Sequence, residues 1–294
     1  MINKSLLICL LGLLSLFGIY RSDVPVEEYL ALGKKPEFDC VGVIYDFEKS
    51  GYTGSFVMID SLHLISCAHC FIHEDYKDST MVMNGATYTF KVVTGSRPAA
   101  LENFEFEVKG KRYTGKTLTI HPTYWNKGAD LAIIELSEPV KKISFPVLSF
   151  ETDELGDTVT GVGFGVSGPA NRAELVNSYH LKIAGMNVVD SVDQKNHHLV
   201  TDFDSPVKAD NCNKLGSPEP LPLEYGIGGG DSGGGLFRTR NGKVQLIGIS
   251  SQSLGLNIEN LRTSRGYYGI LGGYARVSSH KEWIRNISRG TGRR

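Results

Sequence analysis

From residue 38 to residue 277 the chain is written in short runs of β-branched and aromatic residues, broken every few positions by Gly, Asn, Asp or Pro. This rhythm limits the fold more than any other feature. Runs at 41–47, 55–59, 88–93, 116–120, 131–136, 158–162, 244–250 and 269–277 have the composition of strands. No long amphipathic helices are interleaved with them, which argues against a parallel βαβ sheet and for antiparallel barrels or sandwiches. At 294 residues and 41% hydrophobic, the chain can bury one large domain or two small ones. Its 31 Lys and Arg balance 32 Asp and Glu. Without a basic stripe there is no electrostatic footprint for nucleic acid, and no such partner is expected.

The two ends read differently. Lys4 precedes an apolar run over 6–19. That is the length of an export-signal core and short of the roughly 18 or more apolar residues of a membrane span. Residues 1–20 are therefore read as a cleaved signal, with Gly18 an acceptable last residue before the cut. The expected location is secreted or periplasmic, with no membrane association after cleavage. Residues 21–37 form an N-terminal segment with a short helix, in which Asp23 caps, Pro25 sits in the first turn and Gly33 stops. Residues 278–294 carry a closing helix: Ser279 and Glu282 make a capping box, Trp283, Ile284 and Ile287 form an apolar face, and Gly290 ends it. Leaving out Cys9 in the signal, Cys40, Cys67, Cys70 and Cys212 are an even set that an oxidising compartment can pair in three ways, so disulfide bonding is expected with its connectivity open. Long loops at 208–223 and 254–267 have the texture of functional segments.

The chemistry concentrates in three places. In Gly228-Gly-Gly-Asp-Ser-Gly-Gly-Gly235 a serine is flanked by glycines that allow a tight turn with converging backbone N–H groups, which an oxyanion requires. A linker would not run straight into Leu236-Phe237. Serine alone is a weak nucleophile and needs a base and a group that orients the base. Leu64-Ile-Ser-Cys-Ala-His69-Cys70 offers a histidine after an apolar strand, and Asp130-Leu-Ala-Ile-Ile-Glu-Leu136 offers a carboxylate at the head of another.

In order and spacing these segments resemble the three catalytic motifs of the chymotrypsin/trypsin-like serine proteases. His121-Pro122, Val159-Thr-Gly-Val-Gly163, Gly248-Ile-Ser-Ser251, Tyr274-Ala-Arg-Val277 and Trp283-Ile284 extend the likeness. The resemblance implies an all-β chain of two antiparallel six-stranded β-barrels, at 38–144 and 145–277, with a C-terminal α-helix. It implies a serine endopeptidase working through an acyl-enzyme, with Ser232 as nucleophile, His69 as general base and Asp130 as its orienting carboxylate. The N–H groups of Gly230 and Ser232 would form the oxyanion hole. Ser251 would lie on the substrate-binding strand beside Asp130, with Gly226 at the base of the specificity pocket and Ser253 and Gly272 on its walls. Polypeptide substrates and proteinaceous inhibitors would be the partners, and no cofactor would be needed. A silent binding protein on the same fold is the alternative, and the intact Ser, His, Asp and glycines speak against it.

Four departures from the family pattern carry expectations. The family bridges the cysteine after its histidine to one upstream, where this chain has Tyr52-Thr-Gly-Ser-Phe56, so Cys70 is left unpaired or pairs with Cys40. Cys67-x-x-Cys70 with His69 and His73 is half a zinc pattern without a second cysteine pair, and no metal is expected. No pocket residue is charged, which favours an apolar or aromatic substrate side chain, although Glu224 lies close in sequence. Asp231 is expected to be buried and to need a cation, for which the terminus left by a cut after Gly18, at Ile19, is the candidate. His63, His73, His180, His197, His198 and His280 read as surface or packing residues.

Overall fold

The computed structural model describes residues 18–48, 51–83, 86–126, 128–170, 181–208, 213, 215–216, 218–254 and 268–290. Residues 1–17, His180, Cys212 and residues 255–267 of the second expected loop lie outside the described residues.

The chain enters through β1 (Gly18–Tyr20) and α1 (Val26–Gly33). Pro25, not Asp23, stands at the N-cap of α1, and Asp23 instead pairs with Arg21 at 2.6 Å. Six strands then close a barrel in the order β2-β3-β4-β9-β8-β7. They are β2 (Val41–Asp46), β3 (Gly51–Met58), β4 (His63–Ser66), β7 (Phe104–Val108), β8 (Lys111–Ile120) and β9 (Ala132–Leu136). Between β4 and β7 a two-stranded ribbon of β5 (Ile72–Met83) and β6 (Ala86–Pro98) departs from the barrel.

The alternation Phe-Glu-Phe-Glu-Val makes β7 a barrel strand: Phe104, Phe106 and Val108 are buried, while Glu105 and Glu107 face outward. Arg112 on β8 reaches both glutamates, at 2.9 and 3.3 Å, with its guanidinium 4.2 Å from the Tyr45 ring. Inside, Phe56 meets Phe106 edge-on at 5.9 Å between ring centroids, and Phe71 lies 5.2 Å from Phe104. Each such buried side chain contributes about 1.5–3 kcal/mol, and closure leaves the barrel without a free edge.

The second half is an eight-stranded half-barrel sheet, which with the closed barrel and the C-terminal helix gives the mostly β, two-part architecture expected. Its strands are β10 (Val147–Leu148), β11 (Thr158–Gly163), β13 (Ile183–Val188), β14 (Ser191–Asp193), β15 (His198–Asp202), β17 (Gly235–Arg240), β18 (Lys243–Leu254) and β19 (Leu271–Arg276). Seven follow the path β13-β11-β17-β18-β19-β15-β14, and β10 pairs with β18. Among the described residues this path stays open, and two short strands of the same half, β12 (Ser167–Pro169) and β16 (Tyr225–Gly226), pair with β1.

One core spans both halves. The Phe38 ring lies 5.3 Å from that of Phe237 on β17, and Leu246, Ile249, Val277 and Ile284 belong to the same buried cluster. Ile284 comes from α2 (Lys281–Gly290), which follows a 3-10 turn over Val277–His280. Ser279 falls inside that turn, so the expected capping box does not start the helix, and Gly290 is its last residue rather than its stop.

Candidate active site

Strand register brings the histidine and the aspartate together. β4 and β9 pair with Ser66 opposite Ala132, so a short extension beyond each strand places His69 beside Asp130. His69 sits in a 3-10 turn over Ala68–Phe71, and its N–H donates to Asp130 Oδ1 at 2.9 Å. Its Nδ1 lies 2.7 Å from Asp130 Oδ2, which also accepts from the Ser251 hydroxyl at 2.7 Å. A carboxylate on that side assigns the ring proton to Nδ1 and leaves Nε2 as an acceptor. Nε2 is 2.9 Å from Ser232 Oγ. Burial works to raise the Asp130 pKa, but the imidazole and the hydroxyl outweigh it and hold the carboxyl below its usual range. Burial pulls the His69 pKa down, and the neighbouring Asp130 reverses this, so the imidazole stays well above its ordinary value. About 40% of the His69 side chain is open to the cleft, against 17% for Asp130.

Ser232 has no strand beneath it and is held by polar contacts. Ser55 N–H on β3 donates to Ser232 O at 2.8 Å, and Gly233 N–H donates to Ser250 O at 2.7 Å. The Gly230 carbonyl is turned toward the barrel, where it accepts from Ser55 Oγ at 2.9 Å and the Tyr52 hydroxyl at 3.1 Å. Gly230 and Gly233 have φ of +92° and +87°, which other residues rarely adopt. A Cβ on Gly233 would come within 2.0 Å of Ser66 Oγ and 2.1 Å of Ser55 O. Among the described residues, the N–H groups of Gly230 and Ser232 donate to nothing.

Asp231 is buried, as expected, and among the described residues its partners in the uncut chain are a phenol and two amides. Gly165 N–H donates to Oδ1 at 2.8 Å, Gly228 N–H donates to Oδ2 at 2.9 Å, and the Tyr225 hydroxyl donates to Oδ2. Burial outweighs these donors and pushes the pKa up to about 6. No motif in the sequence marks Tyr225, Tyr52 or Ser55, because their importance comes from which loop they touch.

The remaining expected residues are placed as follows. Gly226 pairs with Ile19, and a Cβ there would meet Ile270 and Phe203 at 3.5 Å. Gly272 lies opposite Thr201 and Ser253, and Ile227 stands 2.9 Å from where its Cβ would be. The Ser251 side chain is bonded to Asp130. Among the described residues there is no disulfide: Cys40, Cys67 and Cys70 are free thiols. Cys40 is turned to Glu37 O, and Gly54 stands where a bridging partner of Cys70 would be, its notional Cβ 2.7 Å from Cys70 Sγ.

A cleft of about 990 Å³ runs from His69, Asp130 and Ser251 to His121, His197, His198 and His280. Sequence reasoning treated three of these four imidazoles as surface or packing residues. The His121 and His280 rings are 4.8 Å apart and those of His197 and His280 are 5.8 Å apart. Burial lowers the pKa of His121 and His198 and, with the neighbouring imidazoles, takes His280 down to about 4.

No helix among the described residues is long and apolar enough to cross a membrane. Compared with protein-family models, residues 34–284 match the one described as Trypsin. No curated protein matches the chain.

Proposed function

The chain belongs to the trypsin family, and on that premise we propose that it is an exported serine endopeptidase. The observation that carries this reading is the unbroken hydrogen-bonded line Ser232 Oγ, His69 Nε2, His69 Nδ1, Asp130 Oδ2 and Ser251 Oγ, with every link between 2.7 and 2.9 Å. In it, Ser232 Oγ attacks the scissile carbonyl carbon while His69 Nε2 takes its proton. Asp130 stabilises the imidazolium, which then protonates the leaving amine. Water repeats the sequence on the acyl-enzyme and releases Ser232. The N–H groups of Gly230 and Ser232, which donate to nothing among the described residues, receive the oxyanion.

The pocket reading is an apolar or aromatic side chain. Phe203, Ile227 and Ile270 surround Gly226 and Gly272. Glu224 does not supply a counter-charge for lysine or arginine: its carboxyl accepts from Leu221 N–H at 2.7 Å, and burial pushes its pKa up to about 9. In the uncut chain Ile19 and Tyr20 pair with Gly226 and Tyr225, and Tyr225 donates to Asp231, so the ammonium that an export cut after Gly18 creates at Ile19 is the candidate cation for that carboxylate. Mass spectrometry of the active protein checks this: a mature chain beginning after Tyr20 would reject it.

The deciding experiment treats the protein with a fluorophosphonate and profiles cleavage of a mixed peptide library. Labelling at Ser232, with cleavage after apolar or aromatic residues, is the expected outcome. Absence of labelling would leave a binding protein on this fold, and cleavage only after Lys or Arg would overturn the pocket assignment.

A further inference from the structure

Two thiols bracket the imidazole at the centre of this line. Among the described residues, Cys67, His69 and Cys70 are the one group of three potential metal ligands whose donor atoms all lie within 4.8 Å of one another. Tetrahedral zinc with two sulfurs and one nitrogen needs ligand atoms roughly 3.5–3.8 Å apart, so the group must close by about an ångström. Neither sulfur is in a disulfide. Cys67 Sγ donates to Ser250 O at 2.7 Å, Cys70 Sγ makes a weak contact to Ser232 O at 3.8 Å, and Cys70 lies within interaction distance of both Cys67 and His69, as a shared ligand set requires. Cys70 is free because Gly54 has no side chain: a Cβ there would sit 2.7 Å from Cys70 Sγ and 3.8 Å from Cys70 Cβ, the separation typical of a disulfide. The thiols are buried, but the imidazole edge is open to the cleft and offers a way in.

On binding, the two thiols give up their protons to water in the cleft, and two thiolates with an imidazole select soft or borderline divalent metals, not magnesium or calcium. Both imidazole nitrogens are already engaged, Nδ1 with Asp130 and Nε2 with Ser232. A metal can therefore ligate His69 only by breaking one of the bonds on which proton transfer depends. We propose that Cys67, His69 and Cys70 form an inhibitory site for zinc-class metals, in which metal binding withdraws the imidazole from Asp130 or Ser232 and a water fills the fourth position. This is a reversible brake and not a resident cofactor. Its effect on activity rests on the peptidase reading, but the existence of the site does not.

The test titrates Zn²⁺ against peptidase activity and Co²⁺ against the absorption spectrum, using the full chain. The wild type should be inhibited by zinc and restored by a chelator, and cobalt should give a thiolate charge-transfer band. Two variants remove one sulfur each. Cys67→Ala deletes a thiol. Gly54→Cys, oxidised with glutathione disulfide, ties Cys70 into a disulfide as two protein thiols become one S–S bond and the oxidant becomes two glutathione thiols. Its Cβ also approaches Ser232 O to 2.9 Å, so Cys67→Ala is the cleaner of the two. Both should need at least about tenfold more zinc for inhibition and lose the cobalt band, and Cys67→Ala should keep its metal-free activity. Absence of the band in the wild type overturns the proposal. So does zinc inhibition of equal strength in Cys67→Ala, which would move the metal to the histidines across the cleft. A cobalt band without fluorophosphonate labelling of Ser232 would sink the peptidase reading and leave the metal site standing.

Discussion

The two halves of the molecule hold their share of the site by different means. His69 and Asp130 lie just beyond two neighbouring strands of a closed barrel, so the pairing of Ser66 with Ala132 positions both at once. Ser232 lies on a glycine-rich turn outside any strand, and its place is set by Tyr52, Ser55, Ser250 and the three donors on Asp231. Barrel register is backed by many buried contacts and tolerates the loss of one. The latched turn depends on a few hydrogen bonds, each with its own consequence.

Removing the group that both halves serve should have the largest effect. Ser232→Ala is expected to lower kcat by about 10⁶ in a peptide-hydrolysis assay, the loss seen for comparable triads. Asp130→Asn should keep the barrel folded and cost about 10⁴ in kcat, because an amide facing Nδ1 favours the wrong tautomer; a loss below tenfold would show that register alone orients the ring. Gly233→Ala tests the latched side. With φ of +87° and Ser55 O in the way, it should displace the turn, cost about 10²–10³ in kcat as if an oxyanion donor had been lost, and leave the barrel intact by circular dichroism.

The smallest effect expected concerns Asp231. Burial lifts its folded pKa to about 6, above the ordinary value of 3.8, so in the native state the proton is held more tightly than in the unfolded chain. The corresponding stability is fully present below pH 3.8 and is lost as pH rises to about 6. Denaturant melts across this window should show that component in the wild type and not in Asp231→Asn. Tyr225→Phe, which removes one donor to the carboxylate, should cost about 1.5–3 kcal/mol at neutral pH and carry the loss beyond pH 6. Identical pH profiles for wild type and Tyr225→Phe would mean that the two amides suffice.

The strand rhythm made the all-β class readable, and β2, β8, β9, β11, β18 and β19 fall on the runs that suggested them. β7 could have been found as well, since Phe104-Glu-Phe-Glu-Val108 alternates cleanly; β13 and β15, with Gly185 and His198 inside them, carry no such signal. The helix starts misled at both ends because capping residues are common, and tertiary packing chose Pro25 over Asp23 and moved the C-terminal start past Ser279. Of the pairings the cysteine count allowed, none forms among the described residues: Cys40 is turned to Glu37 O, and Cys70 is unpaired, one of the two outcomes expected for it, facing a glycine at position 54.

By itself the sequence determined which atoms this site can offer: a hydroxyl among glycines, an imidazole after an apolar strand and a carboxylate before another, in an order that few folds reuse. Only the tertiary structure decided what surrounds them. It gave Asp231 a phenol and two amides as partners, left Cys70 without a disulfide, and gathered His121, His197, His198 and His280 around one cleft. The division has a physical cause. Strand formation and turn chemistry act between near neighbours and leave a periodic trace in the chain, whereas hydrogen bonds such as Tyr225 to Asp231 or Ser55 to Gly230 join groups whose approach is fixed by the packing of everything between them.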